Sequence, residues 1–353
     1  MTGEPRGLAT SVFEGWLRSE RPGLVGDGPL SATLITGGRS NLTYRIDGGP
    51  RPFVLRRPPL GHVLASAHDM AREFRVISAL AGSAVPVPAA LLFRDDADGA
   101  AGAGTPFYLM EFVDGSVLSS PAANRPFAPE RLRELSLDLV RTLAALHAID
   151  PATVGLDDFG RASGFLARQV RRWGEQYEKS HSRELPDLDA LQSALRERIP
   201  ETVSSSLVHG DFRLDNAIVR VDEAGRPRIA AILDWEMATI GDSYTDLGLL
   251  GLYWDISTIS AQAAAVAASA VDPAAGYPTF AELLEGYAEA RGSAVPDLSW
   301  YRAFAAYKLA IILEGIHLRF QAGETVGPGF DGIGTLVTPL AGAGLRFLAE
   351  GND

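Results

Sequence analysis

The sequence predicts a mixed α/β (α+β) chain, with a small amino-terminal lobe on an antiparallel sheet with one helix, and a larger, mainly helical carboxy-terminal lobe. Three observations carry this. Short strand-like runs punctuated by glycine and proline crowd residues 1–113. From Pro129 onward, apolar residues recur at helical spacing over long stretches. Between those helices, two apolar runs, Leu207-Val208 and Ile232-Leu233, each end on carboxylates or an amide. The domain division implied is 1–113 and 114–353.

Leu8, Val12, Phe13, Trp16 and Leu17 share one face and predict an amphipathic helix over residues 8–19. Ala32 to Ile35 reads as a strand and breaks at Thr36-Gly37-Gly38-Arg39-Ser40-Asn41, after which Leu42 to Ile46 resumes the pattern. A hairpin turn with two glycines lets backbone amides approach phosphate oxygens, so Gly37, Gly38, Arg39, Ser40 and Asn41 are candidate nucleotide contacts. An ordinary tight turn is the competing reading, and the segment is neither a Walker loop nor a dinucleotide fingerprint. Phe53 to Arg57 is the next strand, closed by Pro58-Pro59. Neighbouring side chains of a strand face opposite sides, so only one of Arg56 and Arg57 can reach a nucleotide. The alternative is a pair of solvated arginines on an edge strand. Residues 65–80 pattern as a helix with Met70, Phe74, Ile77 and Leu80 on one face and Glu73 within it. Val85-Pro86-Val87-Pro88 ends that helix and opens a strand, a Gly- and Ala-rich loop covers Asp95 to Gly104, and Pro106 to Gly115 is an apolar strand ending in a turn.

In the second half, Leu132, Leu135, Leu139, Leu143 and Leu146 line a long helix with Pro129 near its start. Residues 164–179 form another, carrying Arg168, Arg171, Arg172 and Trp173. This basic, aromatic cluster suits an anionic ligand; solvated helix charge is its rival. Asp246 precedes an apolar helix, with a helix-cap role as one reading. Residues 261–270 read as alanine-rich helix, and further helices follow at 280–291 and 299–321, then a last one after the loop of residues 323–334. The second of these holds Glu314, His317 and Arg319, candidate contacts to an acceptor or plain surface positions. There is no internal repeat.

His209-Gly210-Asp211 and Asn216 carry the H-x-D-x-x-x-x-N spacing of a phosphoryl-transfer loop, and Asp234-Trp235-Glu236 follows where a metal-holding aspartate is needed. Asp211 stands where a hydroxyl proton is taken. Asn216 and Asp234 offer oxygens to magnesium, which takes carboxylates together with phosphate oxygens and waters.

These residues resemble the aminoglycoside phosphotransferase family, a small-molecule branch of the protein-kinase-like fold. Gly210 stands where protein kinases have arginine, and Asp-Trp-Glu where they have Asp-Phe-Gly. No Ala-Pro-Glu segment follows, so no long phosphorylated activation loop is expected. The strings Val54-Leu55-Arg56-Arg57-Pro58-Pro59, Ser66-Ala67-His68, Arg72-Glu73-Phe74 and Phe107-Tyr108-Leu109-Met110-Glu111 are most similar to the kinase-like domains fused to some acyl-CoA dehydrogenases, and to their stand-alone bacterial relatives. The likeness runs from about residue 30 to about residue 320.

The resemblance implies a bilobal, protein-kinase-like fold with ATP between the lobes, GTP remaining open, and Mg2+. It places Arg56 where phosphate-binding lysine is usual, with Glu73 as its helix partner, and the backbone of Glu111 and Val113 at the base edge. His209 then braces the catalytic loop rather than carrying a proton, Asp246 accepts from that loop's amides, and Asp215 is solvated or capping. Arg168, Arg172, Trp173, Glu236, Glu314 and His317 are the acceptor-site candidates. The expected reaction moves a γ-phosphoryl group to a hydroxyl of a small molecule, with a hydroxyacyl-CoA favoured over an aminoglycoside, amino sugar or amino alcohol. A nucleotide-binding pseudokinase or regulatory module is the alternative class. Arginine at position 56 favours it, and the intact Asp211, Asn216 and Asp234 set opposes it. A hydrolase using His209 lacks a serine or cysteine elbow.

Composition narrows the partners. With 46% apolar residues the chain buries a sizeable core, and its net charge of −12 argues against a nucleic-acid binder. There is no cysteine, which excludes disulfides and thiolate chemistry. No signal-peptide pattern opens the sequence, and no run approaches the ~20 apolar residues of a membrane span. A cytoplasmic monomer or homodimer without membrane contact is the expectation. The only lysines are Lys179 and Lys308, so a phosphate-gripping cation in the first half must be arginine.

Overall fold

The computed structural model describes residues 4–35, 41–60, 69–180, 182–202, 205–260, 266, 269–324, 330 and 332–351. They divide into two compact units, one of Met1–Asp114 with Ala230–Glu236, the other of Gly115–Ile229 with Met237–Asp353.

The first unit is built on a five-stranded sheet of β1 (Ser31–Leu34), β2 (Leu42–Asp47), β3 (Phe53–Arg57), β4 (Ala90–Arg94) and β5 (Phe107–Glu111) in the order β1-β2-β3-β5-β4. Every pairing is antiparallel. The alternation along β2, β3 and β5 sends Tyr44, Ile46, Phe53, Leu55, Phe107 and Leu109 to one face, where they pack with Leu8, Phe13 and Leu17 of the amino-terminal segment and α1 (Thr10–Glu20). The opposite face meets α2 (Met70–Ala79), whose Phe74 ring lies against Phe93 and Tyr108.

The reading of Arg56 and Arg57 as solvated edge residues is overturned, because β3 is the middle strand. Arg57 shares the α1 face and is buried, donating to the carbonyls of Gly7 and Ala103. Arg56 lies on the α2 face, opposite Thr43 on β2 and Tyr108 on β5. Of the helix expected over residues 65–80, residues 65–68 lie outside the described residues, and α2 is described from Met70. Asp69 caps it, in an extended conformation, with its side chain accepting from the Arg72 amide. The buried Asp96 carboxylate orders the Gly-rich loop by accepting from the amides of Ala101, Ala103 and Gly104. The returning segment joins this unit through the Ile232 amide, which donates to the Pro86 carbonyl at 2.8 Å.

The second unit is mainly helical: α3 (Pro129–Ala148), α4 (Phe165–Ser180), α5 (Pro186–Glu197), α6 (Tyr244–Trp254), α7 (Phe280–Arg291), α8 (Ser299–Gln321) and α9 (Val337–Glu350). Two short ribbons accompany them: β6 (Ser206–Val208) antiparallel to β9 (Thr239–Gly241), and β7 (Ala217–Val221) beside β8 (Pro227–Ile232), whose last residues belong to the first unit. The α8 helix is apolar on nearly all sides, as a buried central helix must be, and packs against α4, α5, α6 and α9. Gly248 sets the crossing of α6 and α8: a Cβ there would stand 2.5 Å from the Tyr301 backbone. The alanine-rich helix expected over residues 261–270 lies largely outside the described residues. Among those described, no helix is long and apolar enough to cross a membrane.

Candidate active site

In the first unit, β3 and α2 bring a cation and carboxylates together. Arg56 Nε lies 3.0 Å from Glu73 Oε2, although its N–H is not aligned for a hydrogen bond. Its Nη2 donates to Asp234 Oδ1 and stands 3.9 Å from Glu236 Oε2. Glu73 is buried and also accepts from the Tyr108 hydroxyl at 3.0 Å and from Asn41 Nδ2 at 3.2 Å. The same Asn41 amide donates to Glu236 at 3.0 Å, which ties the start of β2 to the segment carrying Asp234. Burial opposes charge on Arg56, but Glu73, Tyr108, Asp234 and Glu236 outweigh it and raise the guanidinium above its ordinary value. Burial likewise pushes the Glu73 carboxyl up, against the pull of Arg56.

Asp234 has φ +66°, the only non-glycine residue with positive φ among those described. Such a conformation costs about 1–3 kcal/mol and persists where the surroundings impose it, commonly at functional sites. The Glu111 amide donates to the Ala89 carbonyl at 2.9 Å and is already engaged. Val113 follows in the segment after β5. Gly37, Gly38, Arg39 and Ser40 lie outside the described residues.

In the second unit, β6 delivers the loop of residues 209–216. The buried Asp246 carboxylate at the start of α6 accepts from the His209 amide at 2.7 Å and the Gly210 amide at 2.8 Å. His147 Nε2 stands 3.2 Å from the same carboxylate, and its Nδ1 pairs with the Tyr287 hydroxyl at 2.8 Å. Burial alone would push Asp246 up; His147, His209 and the backbone donors reverse this and hold it below its ordinary value. His209 is buried, with Nδ1 accepting from the Asp211 amide at 3.2 Å and its ring edge-on to Phe212. Gly210 has φ +84°, and a Cβ there would stand 2.7 Å from the Met237 carbonyl, so only glycine fits. Asn216 Nδ2 donates to both the carbonyl and the carboxylate of Asp211, at 2.8 and 2.9 Å. Asp215, read from sequence as solvated or capping, is instead ion-paired with Arg213, whose guanidinium lies over the Tyr253 ring.

The model of the phosphotransferase enzyme family APH matches residues 31–304. The chain belongs to this family. Acyl-CoA dehydrogenase family member 11 of Rattus norvegicus is 33% identical over 346 residues, covering 95% of this chain and 42% of that protein. The probable acyl-CoA dehydrogenase IBR3 of Arabidopsis thaliana is 32% identical over 332 residues, covering 89% of this chain and 39% of that protein. The chain thus spans roughly two fifths of the length of these curated relatives. A crystal structure from Ralstonia eutropha JMP134, provisionally described as an aminoglycoside phosphotransferase, matches with a TM-score of 0.79 at 31% identity, over 97% of this chain and 99% of that one. Aminoglycoside phosphotransferase APH(4)-Ia, in a ternary complex with AMP-PNP and hygromycin B, shares the fold with a TM-score of 0.61 at 16% identity, over 96% and 99% of the two chains. The fold is therefore kinase-like, as in this family of phosphotransferase enzymes.

Four acceptor candidates of the second unit have partners of their own. Trp173 lies beside the Lys308 ammonium, 5.5 Å from ring centroid to Nζ, and Arg172 is exposed on the same helix. Arg168 turns back onto the carbonyls of Ser163 and Arg161. Glu314, expected at an acceptor pocket or the surface, is fully buried and paired with Arg183 at 2.7 Å. His317 pairs with Gln321 on its own helix. Three residues escaped sequence reasoning: His147 behind Asp246, Arg183 on Glu314, and Lys308, whose Nζ donates to the Gly210 carbonyl at 2.8 Å. The one available signal for Lys308 was its rarity, as one of two lysines.

Proposed function

We propose that this phosphotransferase uses ATP and magnesium to phosphorylate a hydroxyl of a small acyl thioester of CoA. One observation carries the reading: the Asp211 carboxylate is held by Asn216, in a loop whose amides are clamped by Asp246. A carboxylate fixed in this way is prepared to orient a hydroxyl and take its proton. As the acceptor oxygen bonds to the γ-phosphorus, the bond to the β,γ-bridging oxygen breaks, ADP leaves, and the proton passes to Asp211.

The donor chemistry suits magnesium. Asn216 presents an amide oxygen once its nitrogen is spent on Asp211, and Asp234 presents a carboxylate. Magnesium takes few protein oxygens and is completed by phosphate oxygens and waters. When bound, the ion supplies neutralisation of charge on the phosphate oxygens. Arg56 takes the α- and β-phosphates, its planar fork serving where lysine is usual. Related structures hold AMP-PNP or GDP, which supports a nucleotide as donor.

Two facts favour the thioester over an aminoglycoside. The curated relatives are acyl-CoA dehydrogenase family members. The carboxylate on α8 that a polycation would seek, Glu314, is neutralised by Arg183. Incubation with ATP, Mg2+ and a panel of hydroxyacyl-CoAs, hygromycin B and kanamycin, read by mass spectrometry, tests this. Phosphorylated thioester is expected, and Asp211→Ala should retain nucleotide binding while turnover falls ~10²–10⁴-fold. Wild-type turnover by Asp211→Ala, or transfer to the aminoglycosides alone, would overturn the assignment.

A further inference from the structure

Lys308 projects from the apolar α8 helix onto the catalytic loop. Its Nζ donates to the Gly210 carbonyl at 2.8 Å, stands 3.7 Å from the Met237 sulfur and faces the Trp173 ring at 5.5 Å. The peptide following Gly210 is the one that carries Asp211. Gly210 is thus gripped at its amide by Asp246 and at its carbonyl by Lys308, in the left-handed conformation that only glycine accepts easily here. A neutral donor would satisfy that carbonyl at less cost than a half-buried ammonium, so the positive charge itself calls for a use. Asp211 and Asp246 lie close enough to favour that charge, while burial and Arg172 work against it.

We propose that Lys308 is a positioning residue for phosphoryl transfer: its ammonium fixes the peptide that carries Asp211 and keeps a cation beside the loop where the acceptor's hydroxyl is deprotonated. This rests on the phosphotransferase reading above. Burial pushes the Lys308 ammonium below the ordinary lysine value, with Arg172 acting in the same direction and Asp211 and Asp246 opposing. The ammonium therefore loses its proton as pH rises, and transfer falls on the alkaline side.

The test uses the full chain and three variants, with ATP, Mg2+ and whichever hydroxyacyl-CoA the wild type phosphorylates, or water as acceptor if none is. Lys308→Met should lower kcat about 10- to 100-fold with KM for ATP little changed. Lys308→Gln, which retains a donor for the Gly210 carbonyl, should fall between Met and wild type and controls for misfolding. Lys308→Arg should retain most of kcat and move the alkaline limb of its pH profile upward, because a guanidinium does not titrate there. A lysine serving stability alone would lower the melting temperature of the Met and Gln variants and leave that limb in place. Values of kcat within about twofold for all three variants, or an unmoved limb in Lys308→Arg, would overturn the proposal. A wild type inactive with every acceptor and with water would instead overturn the phosphotransferase reading, and this inference with it.

Discussion

Arg56 answers three carboxylates at once, and its worth differs from that of a surface ion pair. The Arg56 side chain is 13% exposed and that of Glu73 1%, so removing the cation strands buried negative charge. Arg56→Met should destabilise the protein by about 3–5 kcal/mol, read from urea unfolding. Arg56→Lys keeps the charge but loses the fork spanning Glu73 and Asp234; it should cost less stability and raise KM for ATP. At this scale the sequence was legible where a residue's neighbours in the chain determine its surroundings. Strand alternation puts Arg56 and Arg57 on opposite faces and the resemblance singles out Arg56, whereas the burial of Arg57 depends on carbonyls 46 and 50 residues distant. Lys308 and His147 were illegible for a related reason. Each sits in an apolar helical run, and their partners lie 98 and 99 residues away along the chain, so no local pattern distinguishes them from packing positions.

Helices with long apolar periods were the elements easiest to read, and α7 and α8 begin and end where the pattern puts them. The start of α2 is marked by the Asp69 cap, whose side chain accepts from the Arg72 amide, a local signal available in the sequence. The α7 helix carries a capping box, in which Thr279 accepts from the Glu282 amide and Glu282 accepts from Thr279. Thr279→Ala should cost about 1 kcal/mol in chemical denaturation. The Thr279 amide and Arg133 lower the Glu282 carboxyl to about 2. Its contribution is therefore complete above the ordinary value of 4.5 and lost as pH falls toward about 2. Melting curves of wild type and Glu282→Gln should converge across that interval and stay apart at neutral pH. Where α6 crosses α8, Gly248→Ala would force a methyl against the Tyr301 backbone, at an expected cost of about 1–3 kcal/mol in the same assay.

At the scale of the molecule, the first unit is discontinuous: Ala230–Glu236 belongs with Met1–Asp114. That segment supplies the buried Ala231, Ile232 and Trp235, and two of the carboxylates facing Arg56. A fragment of residues 1–114 should therefore lack a cooperative melting transition by circular dichroism, whereas the full chain shows one. The family and the fold were readable from the motifs, and the run at Ile232-Leu233 from its apolar pattern, but its membership of the first unit was not, because no local pattern encodes it. That membership also has a temporal meaning. A ribosome delivers more than a hundred residues of the second unit before the segment that finishes the first. At about 5–20 residues per second, the amino-terminal sheet waits on the order of ten seconds with Arg56 still missing two of its counter-ions, exposed to chaperones and proteases for the whole interval.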